Sequence, residues 1–149
     1  MSDCLICNSE ESNFFFNTKY FQVKHGLMAS QILGYLILSP KRHLEAWSDM
    51  SEEELAEFPN LIKNLESLLI KHVNAERVYT VTISEAVRHL HFHLIPRSNT
   101  AEVKGIDLIQ QATQQKVQTN NYISPESIHS LQETLKKDLE KNIYKNLKS

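Results

Sequence analysis

The chain of 149 residues lacks several features that mark other classes of protein. No apolar run approaches the roughly 20 residues of a membrane-spanning helix, so we expect no membrane partner. The net charge of −2 provides no broad basic face for nucleic acid. No internal repeat is evident. The composition, 41% hydrophobic and 23% charged, instead fits a globular domain with a real core.

Cysteine is also scarce, because Cys4 and Cys7 are the only two thiols. The first residues, Met-Ser-Asp-Cys, do not resemble a signal peptide, so we expect a cytoplasmic protein, in which disulfides are disfavoured. Two thiolates at this spacing can bind one side of a tetrahedral zinc ion. A redox pair of the thioredoxin type would need a strand before Cys4. A metal pair and two ordinary cysteines in a turn therefore remain open.

The hydrophobic pattern predicts an α+β fold with a mainly antiparallel sheet of about five strands. The predicted strands are residues 13–17, 20–24, 32–38 and 77–84, and the segment that begins at residue 89. Ser39-Pro40 is expected to end the third strand. A long helix is predicted to begin after Ser51, because Glu54 completes a capping box. Pro59 is expected to kink or split this helix. Its predicted buried stripe is Leu55, Phe58, Ile62, Leu65 and Leu69.

The last third of the chain has a different character. Residues 100–121 are rich in glutamine and poorly patterned, and Ser124-Pro125 then begins a helix. The apolar side of that helix is predicted to be Ile128, Leu131, Leu135, Leu139, Ile143 and Leu147. We therefore divide the chain into a domain of residues 1–100 and a C-terminal extension, residues 101–149, which packs on the domain or on a partner.

Three histidines alternate along one apolar stretch, which reads Arg88-His-Leu-His-Phe-His-Leu-Ile-Pro-Arg97. The intervening apolar residues predict a β-strand, in which His89, His91 and His93 project from one face. Imidazole titrates near neutrality, binds metals and can act as a nucleophile. This strand is therefore the predicted functional site.

Beyond these local patterns, the chain resembles a known family. The run His89-Leu-His91-Phe-His93-Leu-Ile95 resembles the histidine triad (HIT) signature, in which histidines alternate with apolar residues. Gly34-Tyr-Leu-Ile-Leu-Ser-Pro-Lys-Arg-His43 is similar to the family's Gly-His-x-Leu-Val-Ile-Pro-Lys-x-His segment, with Tyr35 in place of the first histidine. The N-terminal cysteine pair resembles the zinc-binding bacterial branch. Together these motifs span residues 4–97.

The resemblance implies a HIT-like fold and a nucleotide-phosphate hydrolase or nucleotidyl transferase. Expected substrates are small nucleotides such as dinucleoside polyphosphates or nucleoside phosphoramidates. His91 would be the nucleophile that forms a nucleotidyl-histidine, and His93 would contact the phosphate or the leaving group. The implied ligands of a structural zinc ion are Cys4, Cys7, His43 and His89. Relatives are commonly homodimers, so a homodimer is expected.

Besides Tyr35, three further positions depart from the family's pattern. Glu85 and Ala86 stand where many members carry an amide and a hydroxyl that hold phosphate, and Leu27 stands where an aspartate binds ribose. Ser84 and Arg97 are the remaining candidates for substrate contacts.

These departures favour, as an alternative, a nucleotide-binding or regulatory module on the HIT scaffold with weak or lost catalysis. A zinc hydrolase with three histidine ligands is a third hypothesis, but it leaves the cysteines without a role. The remaining histidines singled out, His25, His72 and His129, are expected to be ordinary surface or helix residues.

Overall fold

The computed structural model describes residues 3–117 and 122–148. Over these residues the chain forms a five-stranded antiparallel sheet and three α-helices, which confirms the predicted α+β fold. The strands are β1 (Phe16–Asn17), β2 (Phe21–His25), β3 (Leu36–Pro40), β4 (Ala75–Val81) and β5 (Phe92–Ser98). The helices are α1 (Glu52–Val73), α2 (Ile106–Gln114) and α3 (Pro125–Lys148).

The strand order is β1-β2-β3-β5-β4, and this order places the histidine strand inside the sheet. On β5, His93 lies opposite Ile37 of β3 and Val81 of β4. Side chains alternate faces along a strand. His93 therefore shares its face with Ile95, while Phe92 and Leu94 enter the core on the other face.

The histidine strand begins at Phe92, later than predicted. His89 and His91 precede the strand, so the expectation that all three imidazoles project from one strand face is wrong. The physical reason is a local hydrogen bond outside the sheet. The Leu90 N–H donates to the carbonyl of Leu44, at 2.7 Å, which holds the segment away from a regular ladder.

The other four strands also differ from their predicted bounds. The second, predicted over residues 20–24, is Phe21–His25, and the fourth, predicted over residues 77–84, is Ala75–Val81. The third strand was predicted over residues 32–38, but β3 starts four residues later and includes Pro40. Leu33 and Gly34 form a turn instead, and the φ of Gly34, +89°, is one that glycine adopts at little cost. Near the N-terminus only Phe16–Asn17 is a strand, because Glu11–Asn13 forms a short 3-10 turn.

Helix α1 begins as predicted, with the reciprocal hydrogen bonds of a capping box between Ser51 and Glu54. It continues through Pro59, so the expected split does not occur. Proline removes the hydrogen bond to the Leu55 carbonyl, and both residues are exposed, which leaves that carbonyl near water. Leu55 was predicted to be buried and is not. The buried face of the helix is Glu54, Phe58, Leu61, Leu65, Leu68 and Leu69.

Two hydrophobic clusters lie on opposite faces of the sheet. The larger one joins the sheet to α1 and α3, including Leu131, Leu135 and Leu139 of α3. The smaller one consists of Ile32, Tyr35, Ile95, Leu108 and Ala112. Its last two members belong to α2, a helix that the glutamine-rich pattern of residues 100–121 did not predict.

The C-terminal helix starts as predicted, because the Ser124 hydroxyl accepts from the Ser127 N–H at 3.2 Å. It packs on α1, where Nε2 of His72 lies at hydrogen-bond distance, 2.7 Å, from the Asp138 carboxylate. Ile143 and Leu147 lie outside the residues whose side chains the structure describes. The division of the chain at residue 100 stays a prediction. In the described part of the chain, no helix combines the length and apolarity needed to cross a membrane.

Candidate functional site

Four metal-binding side chains meet where the N-terminal segment, the segment after β3 and the segment before β5 converge. Their donor atoms all lie within 4.8 Å of one another, and the four residues are Cys4, Cys7, His43 and His89. The Cys7 sulfur lies 3.3 Å from Nδ1 of His43 and 3.4 Å from Nδ1 of His89. The Cys4 sulfur lies 3.6 Å from the same atom of His89. Ligands of a tetrahedral zinc ion are about 3.5 Å apart across a sulfur–nitrogen edge, so this donor set fits zinc.

His89 is held in one tautomer by its second ring nitrogen. The imidazole is fully buried, and its Nε2–H donates to the Pro40 carbonyl at 2.8 Å. Nδ1 therefore presents its lone pair to the thiols, as a metal-binding histidine requires. Burial also lowers the pKa of His89, which keeps the ring neutral.

The two cysteines are arranged to share one cation. The Cys7 N–H donates to the Cys4 sulfur at 3.4 Å, so the backbone turns both thiols to the same side. Desolvation and the neighbouring Cys4 thiol raise the pKa of Cys7. Two adjacent thiolates are unfavourable without a positive partner, and a divalent metal ion supplies that charge.

His91 is fixed by hydrogen bonds to both its ring and its backbone. Its Nδ1–H donates to the His89 carbonyl at 2.7 Å, which leaves the lone pair on Nε2. Its backbone N–H donates to the Ser84 hydroxyl at 3.2 Å, and its carbonyl accepts from Thr82 Oγ1 at 2.8 Å. A neutral imidazole with a free Nε2 lone pair has the form of a nucleophile.

His93 lies beside His91, with the ring centroids 4.9 Å apart in an edge-on arrangement. Its Nδ1 is 2.6 Å from the hydroxyl oxygen of Tyr35. Burial, and to a lesser degree the neighbouring His91, lowers the pKa of His93 to about 4. Burial raises the pKa of Tyr35 above its ordinary value, so the phenol keeps its proton at neutral pH.

Comparison with known protein families identifies the domain that carries this site. The HIT domain family matches residues 9–100 of the chain. The chain belongs to the HIT domain family. A relative, an uncharacterised HIT-like protein of Methanocaldococcus jannaschii, is 30% identical over 86 residues, which cover 50% of this chain and 67% of the relative.

Solved HIT structures share the fold of this chain. A zinc-bound histidine triad family protein from Mycobacterium smegmatis superposes with a TM-score of 0.66 at 14% identity, covering 96% of this chain and 97% of the other. A diadenosine triphosphate hydrolase from Plasmodium falciparum, in complex with cyclomarin A, gives a TM-score of 0.52 at 18% identity, covering 85% and 81%. At these identities the likeness shows the fold.

The other residues singled out in the sequence of this HIT chain lie at different distances from the triad. Ser84 lies beside His91, in a left-handed backbone conformation with φ of +55°. Arg97 lies four residues along β5 from His93, and its guanidinium donates to Glu76 at 3.0 Å and to the Ser98 carbonyl. Glu85 lies in an exposed bend before the triad.

Two further departures from the family pattern, Ala86 and Leu27, are also exposed. Ala86 lies in the same bend as Glu85, and Leu27 is 64% exposed in the loop after β2. Neither side chain supplies a polar group for phosphate or ribose.

His25 is a further histidine whose role differs from the prediction. It is buried in β2, where its Nδ1–H donates to the Gly26 carbonyl at 2.9 Å and Nε2 accepts from the Gly34 N–H at 3.0 Å. The expectation of a surface or helix residue is therefore wrong for His25. The alternation of buried Phe21 and Val23 in the same strand is the signal that places it inside. His72 and His129 lie in helices α1 and α3, as expected.

Proposed function

We propose that this HIT protein is a nucleotide-phosphate hydrolase or nucleotidyl transferase that uses His91 as its nucleophile. The observation that carries this proposal is the hydrogen bond from His91 Nδ1–H to the His89 carbonyl, at 2.7 Å. It leaves the Nε2 lone pair free, beside the ring of His93. A nucleophile whose other nitrogen is held protonated needs no separate base to attack phosphorus.

The proposed reaction has two displacements at the same phosphorus atom. Nε2 of His91 attacks the α-phosphorus, the bond to the leaving group breaks, and a nucleotidyl-histidine forms. Water or an acceptor phosphate then attacks that phosphorus and releases His91. His93 donates a hydrogen bond to the phosphate or to the leaving group as charge develops there.

Dinucleoside polyphosphates and nucleoside phosphoramidates are the proposed substrates. The Plasmodium falciparum protein of the same fold is a diadenosine triphosphate hydrolase, which supports dinucleoside polyphosphates as substrates. The Ser84 hydroxyl is proposed to contact the substrate phosphate, because it already lies 3.4 Å from the His91 ring. Arg97 has its charge matched by Glu76 and is left out of the proposed phosphate site.

The zinc ion of the Cys4, Cys7, His43 and His89 site is proposed to be structural. Four protein ligands fill a tetrahedral shell and leave no position for a reacting water. Among the described residues, the group of close metal-binding atoms includes His89 but neither His91 nor His93. This arrangement argues against a zinc hydrolase with three histidine ligands.

We also propose that the protein is a cytoplasmic homodimer. A cluster of two reduced thiols suits a reducing compartment. Strand β4 lies at the edge of the sheet and can pair with a second copy. Light scattering at several concentrations tests this, and a mass of one chain at all concentrations contradicts it.

A binding module without catalysis is the second candidate, favoured by two observations near the triad. Glu85 is exposed in the bend just before it, and Leu27 offers no group that could hold a ribose hydroxyl. Both positions lack groups that would hold the phosphate and the ribose for attack by His91, so turnover would be weak or lost although His91 is in place.

The test is a panel of a nucleoside phosphoramidate and diadenosine polyphosphates with wild type, His91→Ala and His129→Ala. The last is a matched control, because His129 is exposed on α3. We expect turnover by wild type and the control, and a loss of at least about a thousandfold in His91→Ala. An intact-mass adduct absent from His91→Ala would identify the intermediate. Equal turnover by wild type and His91→Ala refutes the proposal, and calorimetric binding without product supports the binding module.

A further inference from the structure

The contact between Tyr35 and His93 joins two residues that are 58 positions apart, and it is short. The hydroxyl oxygen lies 2.6 Å from Nδ1 of His93. The two rings are nearly parallel, with centroids 5.8 Å apart and an interplanar angle of 30°. Tyr35 is only 3% exposed, so its hydroxyl has little access to water.

The direction of this hydrogen bond follows from the number of donors. A buried hydroxyl that only accepts leaves its own hydrogen unsatisfied, which is unfavourable. If Tyr35 donates to Nδ1 instead, its hydrogen is used and the remaining hydrogen of the neutral His93 ring is on Nε2. That nitrogen lies on the far side of the ring from Tyr35. The donating arrangement therefore satisfies the phenol and leaves the N–H of His93 on the ring nitrogen that does not contact Tyr35.

The backbone around Tyr35 is built for its ring. A Cβ at Gly26 would overlap the Cγ, Cδ2 and Cε2 atoms of Tyr35, so only glycine leaves room for the ring. The Gly26 N–H donates to the Tyr35 carbonyl at 2.7 Å. His25 bonds to Gly26 and to Gly34, one residue before Tyr35. These hydrogen bonds hold residues 25–26 against residues 34–35, at the two ends of the loop before β3.

Helix α2 shares a hydrophobic cluster with the Tyr35 side chain. Tyr35 belongs to the smaller hydrophobic cluster, to which α2 contributes Leu108 and Ala112. The Ser30 hydroxyl donates to the Ala112 carbonyl at 2.7 Å, which ties α2 to the loop before Tyr35. A segment beyond residue 100 thus helps to hold a side chain next to the triad.

We propose that Tyr35 is a positioning residue that donates its hydroxyl hydrogen to Nδ1 of His93 and fixes His93 as the Nε2–H tautomer. His93 then serves as a neutral hydrogen-bond donor to the phosphate or the leaving group. This role rests on the proposed function, in which His91 attacks phosphorus beside His93. Tyr35 stands at a position where the family segment described above has histidine, so a phenol takes the place of that imidazole here.

The first test reads the tautomer directly. Nitrogen-15 NMR of histidine-labelled, zinc-loaded protein is compared among wild type, Tyr35→Phe and Tyr79→Phe. Tyr79→Phe is a matched control, because its hydroxyl accepts from the Gly105 N–H elsewhere on the sheet. We expect His93 to carry its proton on Nε2 in wild type and the control, and a mixture of tautomers in Tyr35→Phe. A proton on Nδ1 in wild type, or an unchanged tautomer in Tyr35→Phe, overturns the proposal.

The second test measures turnover of whichever panel substrate the wild type hydrolyses. We expect kcat to fall about tenfold in Tyr35→Phe with KM within about twofold, because the lost orientation acts on the reacting group. An unchanged kcat overturns the catalytic role of the contact. If the wild type turns over no substrate, the proposed function fails, while the NMR result still decides whether Tyr35 sets the tautomer.

Discussion

His89 and His93 lie four residues apart in one motif, yet their rings are set in opposite senses. His89 donates from Nε2 to the Pro40 carbonyl and presents Nδ1 to the thiols. His93 engages Tyr35 through Nδ1 and is proposed to present Nε2–H to the substrate. In each ring, one nitrogen contacts a protein group, which is a carbonyl for His89 and a phenol for His93. That contact decides whether the other nitrogen offers a lone pair or an N–H.

The two regions also differ in what holds them together. The metal cluster includes the exposed residue Cys7, whose pKa is raised by desolvation and by Cys4, so its metal-binding thiolate form needs the charge of a bound ion. The surroundings of Tyr35 are a buried frame of Gly26, His25 and the smaller hydrophobic cluster. Removal of the metal should therefore weaken the first region and leave the second intact.

The largest expected effect is on the metal cluster. Cys7→Ser should lose the bound zinc and lower the free energy of unfolding by about 4 kcal/mol when free zinc exceeds its dissociation constant a thousandfold. Elemental analysis and chemical denaturation measure both changes. Ser9→Ala is the control in the same turn. The Ser9 hydroxyl donates to the Leu5 carbonyl and is not one of the four metal-binding groups, so this variant should keep its zinc. Stoichiometric zinc in Cys7→Ser contradicts the assignment of the ligands.

A smaller effect is expected from Gly26→Ala, which acts on the other region. The new Cβ collides with the Tyr35 ring, and overpacking of this kind costs about 2 kcal/mol. Gly26 is not among the residues with positive φ, so the cost comes from the contact and not from the backbone. Denaturation measures the loss, and zinc content should not change. A stability equal to wild type would show that the phenol has room to move.

The pH dependence of stability should report on His25. Burial lowers its pKa below the ordinary value of about 6.5, so the unfolded chain binds more protons as the pH falls below that value. Stability is therefore lost from about pH 6.5 downwards, with a contribution of up to about 1.4 kcal/mol per pH unit. His25→Gln should show a shallower slope than wild type between pH 6.5 and 5, and His129→Gln should not. Identical slopes in all three proteins would contradict this role of His25.

The smallest effect is expected between the two regions, at Ser84. Ser84→Ala removes the acceptor of the His91 N–H, which should lower the free energy of unfolding by about 0.5–1 kcal/mol. Denaturation with zinc bound measures this. A loss above about 2 kcal/mol would mean that Ser84 supports more than the backbone of His91.

Much of the metal cluster was predictable from residue types and spacing. Cys4 and Cys7 have ligand spacing, and the resemblance to the HIT family adds His43 and His89, which the fold brings together. The antiparallel sheet and the capping box at Ser51 were likewise predicted correctly. Local patterns carry this information because caps and ligand pairs act over a few residues.

The contact between Tyr35 and His93 and the surroundings of Tyr35 were not predictable in the same way. Its hydrogen bond to His93 depends on the register between β3 and β5 and on a turn at Leu33 and Gly34, where the sequence indicated a strand. Helix α2 escaped prediction because its buried face is short and includes Gln111. Such features follow from tertiary packing, which overrides local preference.

The metal cluster has a consequence for the order in which the protein folds. Cys7 lies 36 residues from His43 and 82 residues from His89 along the chain. An ion held by these residues acts as a cross-link, and cross-links over long loops remove much of the entropy of the unfolded chain. Zinc bound early would bring the N-terminal segment to the histidine segment before the strands between them have paired. Refolding with zinc should therefore be faster than refolding without it, and the cation would then act as a template for the topology of the sheet.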